Sequence, residues 1–95
     1  MNGAARSIAL PAVIDLDALE PLRDRLVDAL DTGAVIVTGH AVERVSTNAL
    51  LLLLSAAETA QHTARAFSLS APSTAITTAI DRLGLGGRFA QFITG

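Results

Sequence analysis

The sequence predicts an α/β fold in a single domain that spans residues 1–95. The chain has the length of one small domain. Hydrophobic residues make up 51% of it and charged residues 17%, which is typical of a globular protein with an aliphatic core. Short apolar runs alternate with longer segments of helical periodicity. Such alternation favours a sheet with parallel strands joined by right-handed crossovers.

The first predicted elements are an edge strand and a helix. Residues 7–10 and 12–14 are apolar and predict one strand interrupted at Pro11, because proline cannot donate to a strand ladder. A capping-box pattern at Asp17 then begins a helix over residues 18–31, in which leucines repeat at helical spacing. The opposite side of this helix carries an acidic row: Glu20, Asp24, Asp28 and Asp31. Such a row is usually a solvated face, and less often it contacts a basic partner.

A buried strand and a leucine-rich helix follow. Residues 34–38, AVIVT, form a β-branched run bounded by glycines and predict a strand with parallel neighbours. A loop leads to the hydroxyl-rich corner 46–48, where Thr47 and Asn48 are residue types that suit a helix N-cap. Five consecutive leucines, residues 50–54, come next. Because a helix advances about 100° per residue, these leucines cover its whole circumference and cannot all be buried on one face.

A helical wheel separates the leucines. One side is polar and holds Asn48, Ser55, Glu58, Thr59 and His62. The other side should pack and holds Ala49, Leu50, Leu53, Ala56, Ala57 and Ala60. Leu51 falls within the polar arc and is predicted to be exposed. A stripe at i, i+4, i+7 and i+11 spacing is a candidate docking spot: Thr47, Leu51, Leu54 and Glu58. The alternative is that Thr47 is only a cap and that Leu51 packs under a loop.

The last third of the chain predicts a strand, a helix and a short terminal element. Residues 66–70 alternate apolar and small polar side chains, which suits a half-buried strand. Ser73 is the expected cap of a helix that stops at Gly84. The apolar stripe of this helix is Ile76, Ile80 and Leu83. The terminal element is expected to cover the core with Phe89, Phe92 and Ile93.

Composition and missing motifs exclude several function classes. The chain has no cysteine, and its two histidines lack metal-binding spacing, so we expect neither a metal nor a cofactor. No serine lies in a nucleophile elbow and no lysine accompanies the glycines, so we expect a binding protein rather than an enzyme. The net charge of −2 argues against nucleic acid. The short leucine run argues against membrane insertion, and the poor signal-peptide pattern predicts a cytoplasmic protein.

Three local signals between residues 34 and 85 resemble the STAS domain, the module of anti-sigma-factor antagonists and of sulfate-transporter tails. Val42–Leu54 is similar to the family's strand, its D-S/T-S/T-G-L corner and its apolar helix. Ala71–Ser73 leads into a helix, and Leu83–Leu85 closes that helix. Val42–Thr47 looks especially like short stand-alone STAS proteins of chemotaxis operons. The resemblance implies a small mixed β-sheet with helices mainly on one face.

The resemblance also implies a site at the hydroxyl-rich corner. Thr47 occupies the position at which the family's antagonists are phosphorylated on serine or threonine. Ser46 stands where the family often has aspartate, and this departs from the pattern for kinase recognition. Asn48 replaces a second hydroxyl, and Ala49 replaces the common glycine. Thr47 is therefore the candidate phosphoacceptor. The candidate partner-binding residues are Ser46, Asn48, Leu51, Leu54 and Glu58.

The implied function is regulation through protein–protein interaction, in which phosphorylation of Thr47 by a partner kinase switches docking. The expected partner is an anti-sigma or serine-kinase-like protein, or a chemotaxis signalling protein. The alternative is a small accessory STAS subunit of a bacterial phospholipid-trafficking ABC transporter. Such a subunit would bind the transporter ATPase permanently and would need no phosphate.

Overall fold

A computed structural model describes residues 6–94, in which the predicted strands and helices are present in the predicted order, with additional two-residue strands at 44–45 and 93–94 and a short helix at 86–89. In chain order the elements are β1 (Arg6–Ala9), β2 (Val13–Ile14), α1 (Leu16–Thr32), β3 (Val35–Thr38), β4 (Arg44–Val45), α2 (Thr47–His62), β5 (Phe67–Ser70), α3 (Thr74–Arg82), α4 (Gly86–Phe89) and β6 (Ile93–Thr94). The protein is therefore an α/β protein.

The main sheet contains four strands in the order β1-β3-β5-β6, and each of these pairings is parallel. The prediction of a mixed sheet is therefore wrong for the strands described. Because the strands follow chain order across the sheet, the usual right-handed crossover places every connecting helix on the same face. Burial agrees with helices on one face: Val35 and Val37 are buried, whereas Ile36 between them is 37% exposed.

The strands β2 and β4 form a separate parallel ladder, in which Ile14 lies opposite Val45. The prediction that β1 and β2 are one edge strand interrupted at Pro11 is wrong. The chain leaves the main sheet after Leu10, whose N–H donates to the C=O of Thr38 at 2.9 Å. The following residues pair with a different strand, since the C=O of Ala12 accepts hydrogen bonds from the N–H groups of Glu43 and Arg44.

The helix α1 begins earlier than the sequence predicts. Its N-cap is Asp15 rather than Asp17, since the Asp15 side chain accepts a hydrogen bond from the N–H of Ala18 at 3.2 Å. Leu16, the first helical residue, is 68% exposed and lies outside the buried leucine stripe. That exposure explains why the leucine spacing does not reveal the first turn. The acidic row of α1 is exposed, as expected.

One hydrophobic core cluster joins the main sheet to the helices. The terminal segment covers this core as predicted. Phe89 is fully buried, and the ring of Phe92 lies 5.5 Å from that of Phe67 and 5.1 Å from that of Phe89 between centroids. Ser73 caps α3, as predicted. The placement of Leu83 in the apolar stripe of α3 is wrong, because Leu83 follows the last helical residue and is 42% exposed.

Candidate functional site

The two long helices begin side by side because the β2–β4 ladder leads directly into both. Ile14 and Val45 are paired, and each is followed by a cap residue, Asp15 for α1 and Ser46 for α2. The N–H of Ser46 donates to the C=O of Ile14 at 3.1 Å and links the two helix starts. The site predicted at the start of α2 thus has the start of α1 as its neighbour.

Ser46, and not Thr47, is the cap of α2. The Oγ of Ser46 accepts a hydrogen bond from the N–H of Ala49 at 3.1 Å. Thr47 is the first residue of the helix and is exposed. Its hydroxyl forms no hydrogen bond with the part of the chain that the structure describes. The interpretation of Thr47 as the cap is therefore wrong, and the Thr47 hydroxyl is not needed to cap the helix.

This assignment makes a prediction about stability. We expect Ser46→Ala to destabilise the protein by about 0.5–2 kcal/mol, because the first turn of α2 loses the acceptor for one backbone N–H. Thr47→Ala is the matched control and should stay close to wild type. Urea unfolding of both variants, followed by circular dichroism, measures the difference. A larger loss in Thr47→Ala than in Ser46→Ala would reverse the assignment of the cap.

Leu51 lies on the surface, as the helical wheel predicts, with 49% of its area exposed. It does not pack under a loop, so that alternative is wrong. Leu51 lines an open groove of about 430 Å³ between α1 and α2. The other residues that line this groove are Leu19, Glu20, Arg23, Asn48 and Leu52. Among the predicted site residues, the structure therefore brings Leu51 and Asn48 together, and Thr47 immediately precedes Asn48.

Leu54 does not belong to this surface, which corrects the predicted stripe. Its side chain is only 7% exposed and is part of the core cluster. Leu54 and the exposed Glu58 line a different cleft of about 230 Å³, which also contains Arg88 and Phe92. The C-terminal segment packs against that side of α2. Helical spacing therefore places Leu54 and Leu51 on one stripe, but packing separates them.

Sequence reasoning missed the part of the groove that α1 contributes. Leu19 belongs to the leucine stripe of α1, yet it is only half-buried and faces the groove. Val27 is 52% exposed among charged neighbours. An exposed β-branched residue within the acidic side of a helix is the signal that would have indicated this surface. The pairing of α1 with α2 depends on tertiary contacts that a helical wheel does not contain.

Within residues 6–94, no group of three or more His, Asp or Glu side chains is placed to hold a metal ion. His40, in the loop after β3, and His62, the last residue of α2, are both exposed. None of the helices in the same range combines the length and the apolar character that a membrane span requires.

Comparison of the sequence with models of known protein families finds no match. Comparison with curated protein sequences finds no match either.

Proposed function

We propose that the protein is a regulatory docking module of the anti-sigma-factor-antagonist type, in which a protein partner binds beside the start of α2 and phosphorylation of Thr47 switches binding. The observation that carries the proposal is the division of roles between neighbouring hydroxyls. Ser46 caps the helix, and Thr47, its first residue, presents an exposed hydroxyl that forms no hydrogen bond with residues 6–94. The resemblance to STAS domains, which places the phosphoacceptor at Thr47, supports the same assignment.

The first turn of a helix is a favourable place for a phosphate. Its backbone N–H groups lack intrahelical partners, and the helix dipole is positive at that end. A phosphate on Thr47 is therefore compatible with the fold. It would also add a charge of about −1.5 to −2 one helical turn before the exposed Leu51. A partner that covers Leu51 must also remove water from this charge, which costs free energy. Docking therefore fails while the domain stays folded.

We expect Thr47→Glu to melt close to wild type and to lose at least about tenfold in affinity for the partner, equivalent to about 1.4 kcal/mol. The partner is first captured from the host with the wild-type protein and identified by mass spectrometry, and binding is then measured by calorimetry. Thr74→Glu is the matched control. Thr74 is also an exposed first helical residue behind a serine cap, but it begins α3 and lies away from the groove.

Mass spectrometry of the protein isolated from its host tests the modification directly. A phosphate on Thr47, together with retained binding by Thr74→Glu, supports the switch. If Thr47→Glu binds the partner as well as wild type does and no phosphate is found on Thr47, the proposed phosphorylation switch is wrong. A constitutive complex with a transporter ATPase would then identify the permanent accessory subunit instead.

A further inference from the structure

The groove beside Leu51 continues along the α1–α2 pair. A second part of about 140 Å³ adjoins the first, and Arg23 and Leu52 line both parts. On α1 the lining residues extend from Leu19 to Asp31. At 1.5 Å per helical residue this is a length of about 18 Å, which matches about three turns of an α-helix.

The floor of the groove is apolar. Leu51 and Val27 are 49% and 52% exposed, and Leu19 and Leu52 are half-buried between them. Large apolar side chains gathered on one surface commonly mark a place where a partner binds. A helix that lies in such a groove inserts side chains at i, i+3, i+4 and i+7 positions, so one amphipathic helix covers the whole length.

The helices that form the groove are acidic. Together α1 and α2 hold two guanidinium groups and six carboxylates, a net charge of −4. The whole chain has a net charge of −2, so the remaining residues carry +2. Among the described residues, the one ion pair that involves these helices joins Asp28 to Arg6 at 3.3 Å. The groove itself is lined by Glu20, Arg23 and Asp31, a net charge of −1, so both the lining and the helices that carry it favour a basic partner.

The same charges disfavour a second copy of this chain as the occupant. A twofold dimer through this face would bring the same patch of each copy together. Each copy would present the two carboxylates and one guanidinium that line its groove, a net charge of −1, and like charges across an interface oppose association. A partner of opposite charge avoids this repulsion.

We infer that the α1–α2 groove binds a basic amphipathic helix of about three turns from the partner. This inference rests on the proposed docking function and specifies the partner's chemistry. The apolar side of the helix covers Leu51 and Val27, and its basic residues face Glu20 and Asp31 at the rim. The helix lies antiparallel to α1 and α2, because their positive N-terminal ends attract its C-terminal carbonyls. A phosphate on Thr47 repels that carbonyl end even though the partner is basic overall.

A pair of synthetic peptides tests the inference on the full chain. The probe is a 14-residue helical peptide with leucine along one side and lysine elsewhere, and its counterpart carries glutamate in place of lysine. We expect the lysine peptide to bind at least about tenfold more tightly in calorimetry. In methyl NMR it should shift the signals of Leu51, Leu52 and Val27. Equal affinities for the two peptides, or shifts confined to other residues, would overturn the inference.

Matched variants distinguish binding of the peptide in the groove from non-specific attraction between opposite charges. Leu51→Ser should weaken binding of the lysine peptide about tenfold, whereas Leu83→Ser, at a leucine of similar exposure on the end of α3, should leave it unchanged. Glu20→Gln should weaken binding and reduce its dependence on salt, and Asp81→Asn is the control outside the groove. Equal losses in each variant and its control would overturn the inference.

Two further results test the inference about the groove separately from the proposed phosphorylation switch. If the lysine peptide does not bind while the native partner still responds to Thr47→Glu, the groove inference is wrong and the proposed function stands. If the peptide binds in the groove equally well in wild type and in Thr47→Glu, the groove inference stands and the switch is wrong. Dimerisation of the chain through Leu51 in ultracentrifugation would show a second copy as the occupant and overturn the inference.

Discussion

We expect Leu53→Glu to unfold the protein and Leu51→Glu, on the same helix, to leave it folded. Leu53 is fully buried, so the change removes a core side chain and places an unpaired carboxylate among aliphatic groups. Truncation of a buried leucine alone costs about 2–5 kcal/mol, and the buried charge adds several more. A small domain has a total stability of about 5–15 kcal/mol, so Leu53→Glu removes most or all of it. Leu51 is 49% exposed, and a glutamate there reaches water.

Circular dichroism and urea unfolding measure this contrast. Leu53→Ala is the control for the buried position, and it should stay folded with a lower midpoint. In urea unfolding, Leu51→Glu should keep the wild-type dependence of the unfolding free energy on urea and nearly the wild-type midpoint concentration. Glutamate is a good helix former at an exposed position. If Leu51→Glu unfolds the protein as badly as Leu53→Glu does, Leu51 is a core residue and the groove does not exist in solution.

The second large effect on stability is expected at Gly39, the residue that follows β3. A Cβ atom added at Gly39 would lie 2.6 Å from Cδ1 of Ile76, which is closer than two carbon atoms can approach. Ile76 is fully buried, so its end cannot move without displacing other core side chains. We expect Gly39→Ala to destabilise the protein by about 1–3 kcal/mol, which lowers Tm by roughly 4–8 °C for each kcal/mol.

A double-mutant cycle identifies the cause of this loss. Ile76→Val deletes the Cδ1 atom that clashes, and alone it should cost about 0.5–1.5 kcal/mol. In the Gly39→Ala background the same change should be neutral or stabilising, because it removes the clash. Gly86→Ala is the control, since nothing lies within 4 Å of its added Cβ, and it should be neutral or slightly stabilising. If the stability losses of the two single variants simply add in the double variant, a clash with Ile76 is not the cause of the loss in Gly39→Ala.

The order and type of the main elements could be predicted from the sequence, because local physical chemistry determines them. Leucines at helical spacing predict α1, and the β-branched run 34–38 predicts β3. The helical wheel of α2 places Leu51 outside and Leu53 inside. The angle between two side chains around a helix axis depends only on their separation in sequence, at about 100° per residue. Ser73 as the cap of α3 follows from the same kind of local hydrogen bond.

Tertiary structure alone decided the features that build the site. The parallel β2–β4 ladder joins segments far apart in the chain, and it sets Asp15 and Ser46 as neighbouring caps in place of Asp17 and Thr47. The packing of the C-terminal segment buries Leu54, which a wheel cannot distinguish from an exposed position. The groove needs side chains from two helices whose contact depends on the order of the strands beneath them. Periodicity within one segment contains no information about which other segment covers it, so such features follow only from the assembled fold.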